Sequence, residues 1–169
     1  DGEAGFAASG TCIAVASGRL NSHRAEFALY ALGAQTETNA RVIASTDTGT
    51  TWTAATTPIK SSDATGIFSV DILPNARAIA VGGNYQSPDD NASVSAISRD
   101  AGQTWTPSQT QPRGYRSCVC FIPSAIFWLS SARISLSARS PLATPRIFDD
   151  TSKPLLARLV MRTRKKPKD

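Results

Sequence analysis

The chain has 169 residues, of which 41% are hydrophobic and 18% are charged, and its formal net charge at pH 7 is +5. This length is enough to bury one hydrophobic core, and the apolar runs are too short for a membrane-spanning helix. Length and composition therefore indicate a globular domain and exclude a transmembrane segment.

The positive charge is confined to the C-terminal end of the chain. Residues 151–169 carry seven Lys or Arg and one acid, whereas residues 1–150 carry eleven basic and twelve acidic residues. Such a basic run can bind phosphate backbones without sequence preference, or it is a solvated end. No aromatic residue interrupts residues 162–168, so base stacking has no support and no specific nucleic-acid partner is expected.

Apolar segments predict strands that recur in the same order along the chain. Residues 5–9, 66–70 and 114–118 each begin with Gly and continue into a small and apolar run, which predicts an inner strand. Residues 27–33 and 78–83 are apolar and end in Gly, which predicts a second strand in the first two repeats.

A third strand, predicted at residues 40–44 and again at 93–97, leads into a motif that occurs twice. The motif is S-x-D-x-G-x-T-W at residues 45–52 and 98–105, which we call the first and second box. Its fixed positions are Ser45, Asp47, Gly49, Thr51 and Trp52 in the first box and Ser98, Asp100, Gly102, Thr104 and Trp105 in the second. A repeat at this spacing is typical of stacked architectures.

The residue types of the box predict a turn between the third strand and an outer strand. An Asp side chain accepts hydrogen bonds from backbone N–H groups further along, and Gly adopts positive φ at little cost. The Trp that follows can bury a large apolar surface against a neighbouring sheet. We therefore interpret Asp47 and Asp100 as fold-defining residues rather than catalysts. A calcium loop is the alternative, although most oxygen ligands of that pattern are missing.

The motif resembles the Asp-box of the BNR repeat family, which is found in sialidases and in many other β-propellers. The resemblance covers residues 4–123 and is nearest to non-catalytic bacterial relatives of the photosystem II assembly factor group, which are often labelled oxidoreductases or glycosyl hydrolases. It implies an all-β chain, a partial β-propeller of about two to two and a half four-stranded blades with an atypical C-terminal tail.

The chain is too short for a whole propeller, which needs roughly four to eight blades. Either it is a fragment of a longer protein, or several copies assemble to close the ring. The absence of an initiating Met and of a signal peptide favours a fragment. The family resemblance implies that the parent protein is exported to the periplasm or the extracellular space.

The repeat pattern fails after residue 123. By analogy with the second box, a third would stand near residues 146–150, which contain neither Gly nor Trp, and all eleven glycines lie at or before Gly114. We therefore divide the chain into a partial propeller, residues 1–123, and a basic tail, residues 124–169, introduced by a shifted frame or a fusion. A native helical extension is the alternative, since residues 154–161 have a helix-compatible composition.

The cysteines and the single histidine give no sign of a metal or catalytic site. Cys12, Cys118 and Cys120 lack metal-ligand spacing and are expected to be buried free thiols. A disulfide from Cys12 to Cys118 or Cys120 is the alternative. His23 lies in a polar segment, which favours an exposed loop residue over a general base. The sequence predicts no cofactor.

Two functions compete for this fold. A sialidase-like glycoside hydrolase would need, by resemblance, a Tyr nucleophile, a Glu, an acidic Asp and an Arg cluster, and its catalytic blades would be missing from this chain. The favoured alternative is a non-catalytic scaffold that binds a protein or a glycan. Its candidate binding residues are Arg116 and Tyr115, because an Arg at the start of an inner strand could clamp a carboxylate. An ordinary surface arginine is the competing interpretation of Arg116.

Overall fold

Strands and turns make up the described part of the molecule. The computed structural model describes residues 3–5, 11–34, 39–122, 127–132, 135–139 and 148–149. Within these ranges no helix occurs, and all pairs of named strands are antiparallel. The predicted all-β class is confirmed. These same residues consequently offer no helix with the length and hydropathy to cross a membrane.

The first sheet contains β1 (Glu3–Ala4), β2 (Ile13–Leu20), β3 (His23–Ala34), β4 (Asn39–Ser45) and β5 (Thr53–Lys60). Strands β3, β4 and β5 pair in chain order, and β1 and β2 both pair with β3. The β2–β3 hairpin turns through two residues in the left-handed region, the conformation that matches the twist of adjoining strands.

The second and third sheets each have four strands in chain order. The second contains β6 (Thr65–Ile72), β7 (Ala78–Asn84), β8 (Ser95–Ser98) and β9 (Thr106–Pro107). The third contains four further strands: β10 (Cys118–Ile122), β11 (Phe127–Ala132), β12 (Ser135–Arg139) and β13 (Phe148–Asp149). The box turns connect β4 to β5 and β8 to β9, between the third and outer strands, as the motif predicts.

The strands predicted at residues 27–33, 40–44, 66–70 and 78–83 are confirmed. The strand predicted at 93–97 begins later, at Ser95, and residues 6–9 lie outside the described part of the chain. β2, which pairs with β3 in the first sheet, was not predicted from the sequence.

The strand predicted at residues 114–118 is wrong for its first four residues, since β10 begins at Cys118. The reason is that this backbone is already hydrogen-bonded elsewhere. The Tyr115 N–H donates to the Pro88 carbonyl at 2.9 Å, and the Arg116 N–H donates to the Gly82 carbonyl at 2.8 Å. These bonds tie the segment to the end of β7 and the loop that follows it.

Three strands lie in the region assigned to the basic tail. β11, β12 and β13 extend the sheet that begins with β10. The division of the chain at residues 123 and 124 stays a prediction, and the helix considered at residues 154–161 falls outside the described residues.

The two faces of the first sheet differ in burial. Because directly paired residues share a face, Ile13, Tyr30 and Ile43 lie together on what we call its front face. The back face carries apolar side chains that are at most 2% exposed: Phe27, Leu29, Ala31, Val42 and Ala44.

The hydrophobic core forms where sheets stack front to back. The back face of the first sheet packs against the front face of the second, which carries Val70, Ile72, Ala78 and Ala80. A second cluster joins the back face of the second sheet, Ile79 and Val81, to Val119 on β10. Burial of each Val, Leu, Ile or Phe side chain contributes about 1.5–3 kcal/mol. The described strands form an open stack and do not close into a ring.

The cysteines are free, but the prediction that all three are buried is wrong. Cys12 and Cys118 are half-buried and Cys120 is exposed. The alternation of β10 explains this difference, because Val119 points into the core and its neighbours on the strand point away from it.

Candidate functional site

The first box folds into a turn held by Ser45 and Asp47. The Ser45 hydroxyl donates to Asp47 Oδ1 at 2.8 Å and accepts the Gly49 N–H at 2.9 Å. Asp47 Oδ1 accepts the Thr51 N–H at 2.9 Å, and its Oδ2 accepts the Thr51 hydroxyl at 2.6 Å. The Trp52 indole N–H donates to the Gly49 carbonyl at 2.9 Å. Each fixed position of the motif thus makes a hydrogen bond inside the turn.

The second box repeats every one of these bonds. The Ser98 hydroxyl donates to Asp100 Oδ1 at 2.7 Å and accepts the Gly102 N–H at 2.8 Å. Asp100 accepts the Thr104 N–H at 2.9 Å and the Thr104 hydroxyl at 2.6 Å. The Trp105 indole N–H donates to the Gly102 carbonyl at 2.9 Å. The five shared residue types therefore specify one local structure in two places.

The glycine of each box is required by the backbone. Gly49 has a φ of 80° and Gly102 a φ of 87°, and each follows a residue that is also left-handed. A side chain at such a φ is strained. In this conformation the glycine N–H turns back onto the serine hydroxyl, which explains why Ser and Gly occur together in the motif.

Hydrogen bonds lower the pKa of both box carboxylates. The Thr51 hydroxyl, the Thr51 N–H and the Ser45 hydroxyl together lower the pKa of Asp47 from 3.8 to about 2. Burial opposes the ionisation of Asp100, but bonds from Thr104 and Ser98 outweigh it and lower its pKa as well. Both side chains are ionised acceptors at neutral pH, which does not suit a general acid.

The two boxes differ in what surrounds them. Trp105 is 9% exposed and belongs to the core between the first and second sheets, whereas Trp52 is 47% exposed. The Ala101 N–H also donates to the Ala76 carbonyl at 2.8 Å, which anchors the second box to the β6–β7 turn. The boxes are equal in internal structure and unequal in packing.

The oxygen atoms of the boxes do not form a metal centre with their neighbours. Among the residues that the structure describes, no group of three or more His, Cys, Asp or Glu is placed to hold a metal ion. Both oxygens of each box carboxylate accept hydrogen bonds from Ser and Thr hydroxyls of the same turn. These bonds all lie within the turn to which the carboxylate belongs.

The predicted binding residues Arg116 and Tyr115 come together, but Arg116 is buried. Its side chain is 3% exposed, and Nη1 donates to the Tyr115 carbonyl at 2.9 Å and to the Gly114 carbonyl at 3.3 Å. The Tyr115 ring packs edge-on against Phe68 with centroids 4.8 Å apart. An ordinary surface arginine is therefore not observed, and a carboxylate ligand could reach Arg116 only after a local opening. Its role in binding stays a prediction.

A polar cleft of about 720 Å³ lies beside the first box, at one end of the front face of the first sheet. Its lining carries charges of both signs and small polar groups: Ser17, Gly18, Arg19, Arg24, Ala25, Glu26, Thr46, Asp47 and Thr48. The tight β2–β3 hairpin makes Arg19 and Arg24 direct cross-strand partners, and a β-bridge joins Glu26 to Asp47. The volume is in the range of small-molecule sites.

The cleft is not predicted by the amino-acid sequence. The feature that could have indicated it is the pair of arginines that the β2–β3 hairpin places opposite each other. Like charges directly opposite each other repel, so such a pair suggests a site for an anion. That signal appears only once the register of β2 and β3 is known. His23 is exposed as predicted, but the prediction that it lies in a loop is wrong, because it is the first residue of β3.

No family model, curated protein or solved structure matches this chain. The boxes, the stacked sheets and the polar cleft are the features of this chain that bear on its function.

Proposed function

We propose that this chain is part of a non-catalytic Asp-box β-propeller that serves as a scaffold for binding a protein or a glycan. The observation that carries this proposal is the use of Asp47 and Asp100 inside their own turns, with the same set of hydrogen bonds. In two different surroundings, the carboxylate accepts the same hydrogen bonds within its own turn. This agreement supports the interpretation of the box as a structural motif. A five-stranded antiparallel sheet and two four-stranded ones, which follow one another along the chain and stack front to back, support the assignment of blades.

The polar cleft is the best-placed surface for a ligand. Arg19 and Arg24 are exposed, directly opposed across two strands and near the Glu26 carboxylate. A carboxylate or sulfate group placed between the two guanidinium groups would relieve their repulsion and accept charge-assisted hydrogen bonds. Neighbouring Ser17 and Thr48 could bond to sugar hydroxyls. An acidic glycan therefore fits the chemistry of the cleft.

Calorimetric titration of the full chain with acidic and neutral oligosaccharides tests this proposal. Arg24→Ala removes half of the opposed pair and should weaken binding of an acidic glycan about tenfold or more, since hydrogen bonds to charged groups are worth about 1.5–3 kcal/mol. Arg99→Ala removes a charge that is also exposed, from the second box, and should leave binding unchanged. Equal losses in the two variants, or no binding of any glycan, would remove the cleft as a glycan site.

A fluorogenic sialoside assay separates the scaffold from the hydrolase alternative. The scaffold should release no fluorophore above the rate of buffer alone. Turnover that disappears in the Tyr115→Phe variant would reverse the choice in favour of a hydrolase with a Tyr nucleophile.

Arg116→Ala should lower the unfolding midpoint, because the side chain is buried and bonded to two backbone carbonyls.

A further inference from the structure

Two free thiols, Cys118 and Cys120, lie on the same face of β10. Side chains two residues apart on a strand point to the same face. Val119 between them packs against Ile79 and Val81 of the second sheet, so the two cysteines point away from that sheet. Cys120 is exposed and Cys118 is half-buried. The pair is therefore accessible to small solutes.

Hydrogen bonds hold β10 along both of its edges. On one edge, all five residues of the strand pair with β11 without a register shift. On the other edge, the Val119 N–H donates to Ser69 Oγ at 3.0 Å, and the Phe121 N–H donates to Asp71 Oδ2 at 2.6 Å. The strand therefore keeps the two cysteines at the spacing of an extended backbone.

This spacing disfavours a disulfide between the two cysteines. At a rise of about 3.3 Å per residue, positions two apart on one face are separated by about 6.6 Å. A disulfide joins Cβ atoms that are only about 3.8 Å apart, so its formation would bend β10 and break hydrogen bonds at its edges. A metal ion between the sulfurs spans a wider gap, because two thiolate–metal bonds, each about 2.3 Å, take the place of one S–S bond of about 2.05 Å.

The number of ligands selects the class of ion. In the part of the chain that the structure describes, no group of three or more His, Cys, Asp or Glu is placed to hold a metal ion. Zn²⁺ in a structural site takes four such ligands and is not matched here. Thiolates prefer soft ions, among them Cu⁺, which binds in a line between two sulfurs. Two cysteines on one strand thus fit Cu⁺ better than Zn²⁺.

The surroundings of the pair favour a cation. Partial burial raises the pKa of Cys120, and the negative charges of Cys118 and Asp71 raise it further. The two sulfurs and the Asp71 carboxylate are therefore close enough to interact. A cation between the sulfurs replaces their protons and is attracted by these same charges.

We propose that Cys118 and Cys120 form a two-coordinate site for a soft metal ion of the Cu⁺ type, on the face of β10 that points away from the second sheet. Each thiol releases its proton to the solvent as its sulfur binds, and the oxidation state of the ion does not change. The site is separate from the polar cleft, whose lining contains no cysteine.

Anaerobic titration of the full 169-residue chain with Cu⁺, in competition with a chromogenic Cu⁺ chelator, tests the proposal. The wild type should take up one ion per chain. Cys118→Ser and Cys120→Ser should each weaken uptake about hundredfold or more, because the loss of an outer-shell partner alone costs about 10- to 100-fold. Cys12→Ser removes the third free thiol, which is half-buried like Cys118, and should leave uptake unchanged.

X-ray absorption and sedimentation velocity identify the ligands and the number of chains. The loaded chain should show two sulfur neighbours around the ion and should sediment as the metal-free chain does. One ion per two chains, with faster sedimentation, would mean that single thiols of two copies share the ion and would overturn the proposal. Absence of uptake by the wild type, or an equal loss in Cys12→Ser, would overturn it as well. If Cys118→Ser lowers the unfolding midpoint, Cys120→Ser, at an exposed position, still decides the result.

Discussion

The two boxes are the most instructive comparison in this molecule. Their hydrogen bonds agree to within about 0.1 Å, yet Trp52 is 47% exposed and Trp105 is 9% exposed. The second box packs against the first sheet, while the first box faces outward at the start of the stack. Local chemistry therefore determines the turn, and tertiary packing determines how much each turn stabilises the fold.

The tryptophans should show the largest difference between the boxes. Trp105→Ala opens a cavity in the core between two sheets and should lower the free energy of unfolding by about 3–5 kcal/mol. Trp52→Ala removes a half-exposed side chain and should lower it by about 1–2 kcal/mol. Urea denaturation of both variants measures the two values. Equal losses would contradict the conclusion that the two boxes differ in packing.

The glycines should show the next largest difference. A Cβ at Gly102 would lie 2.5 Å from Leu29 Cδ2 and 3.3 Å from Ala44 Cβ, whereas at Gly49 the nearest atom is 3.5 Å away. Both Ala variants are strained by positive φ, so their difference isolates packing. Gly102→Ala should be less stable than Gly49→Ala by about 1–3 kcal/mol, the range of overpacking. Thermal midpoints of the two variants check this order.

Replacing the serine should lower the free energy of unfolding by the same amount in both boxes. Ser45 is 2% exposed and Ser98 is 3% exposed, and both make the same hydrogen bonds. Each Ser→Ala change should lower the free energy of unfolding by about 1–2 kcal/mol, since it leaves the glycine N–H of the box without its acceptor. A large inequality in urea denaturation would contradict the interpretation that the turns are internally equivalent.

Lowering the pH should change the stability of the protein less than any of these substitutions. Because the pKa of Asp47 falls from 3.8 in its ordinary state to about 2 in the turn, its stabilising contribution is complete above about pH 4 and is lost as the pH falls towards 2. Asp100 shifts in the same direction. Thermal midpoints measured across this range should decline in the wild type. The decline should be shallower in the Asp47→Asn, Asp100→Asn double variant, and an equal decline would place the acid sensitivity elsewhere.

The sequence predicted the parts of the fold that depend on short-range chemistry. The box turns and the strands at residues 27–33, 40–44, 66–70 and 78–83 follow from turn residues and apolar runs. β2 was missed because Ser17, Gly18 and Arg19 interrupt its short apolar run, so that the segment resembles a loop until β3 pairs with it. The inner strand predicted at 114–118 was misplaced because long-range bonds to Pro88 and Gly82 occupy its backbone.

The amino-acid sequence by itself determined the two turns, since every bond in them joins residues at most four positions apart. Only the tertiary structure decided that Arg116 is buried, that Arg19 opposes Arg24, and that Val15 is exposed where Ile72 is covered. These outcomes depend on the register between strands and on which sheet lies against which. The local sequence pattern predicts neither the register nor the stacking, because strand pairing and sheet stacking join residues that are distant along the chain.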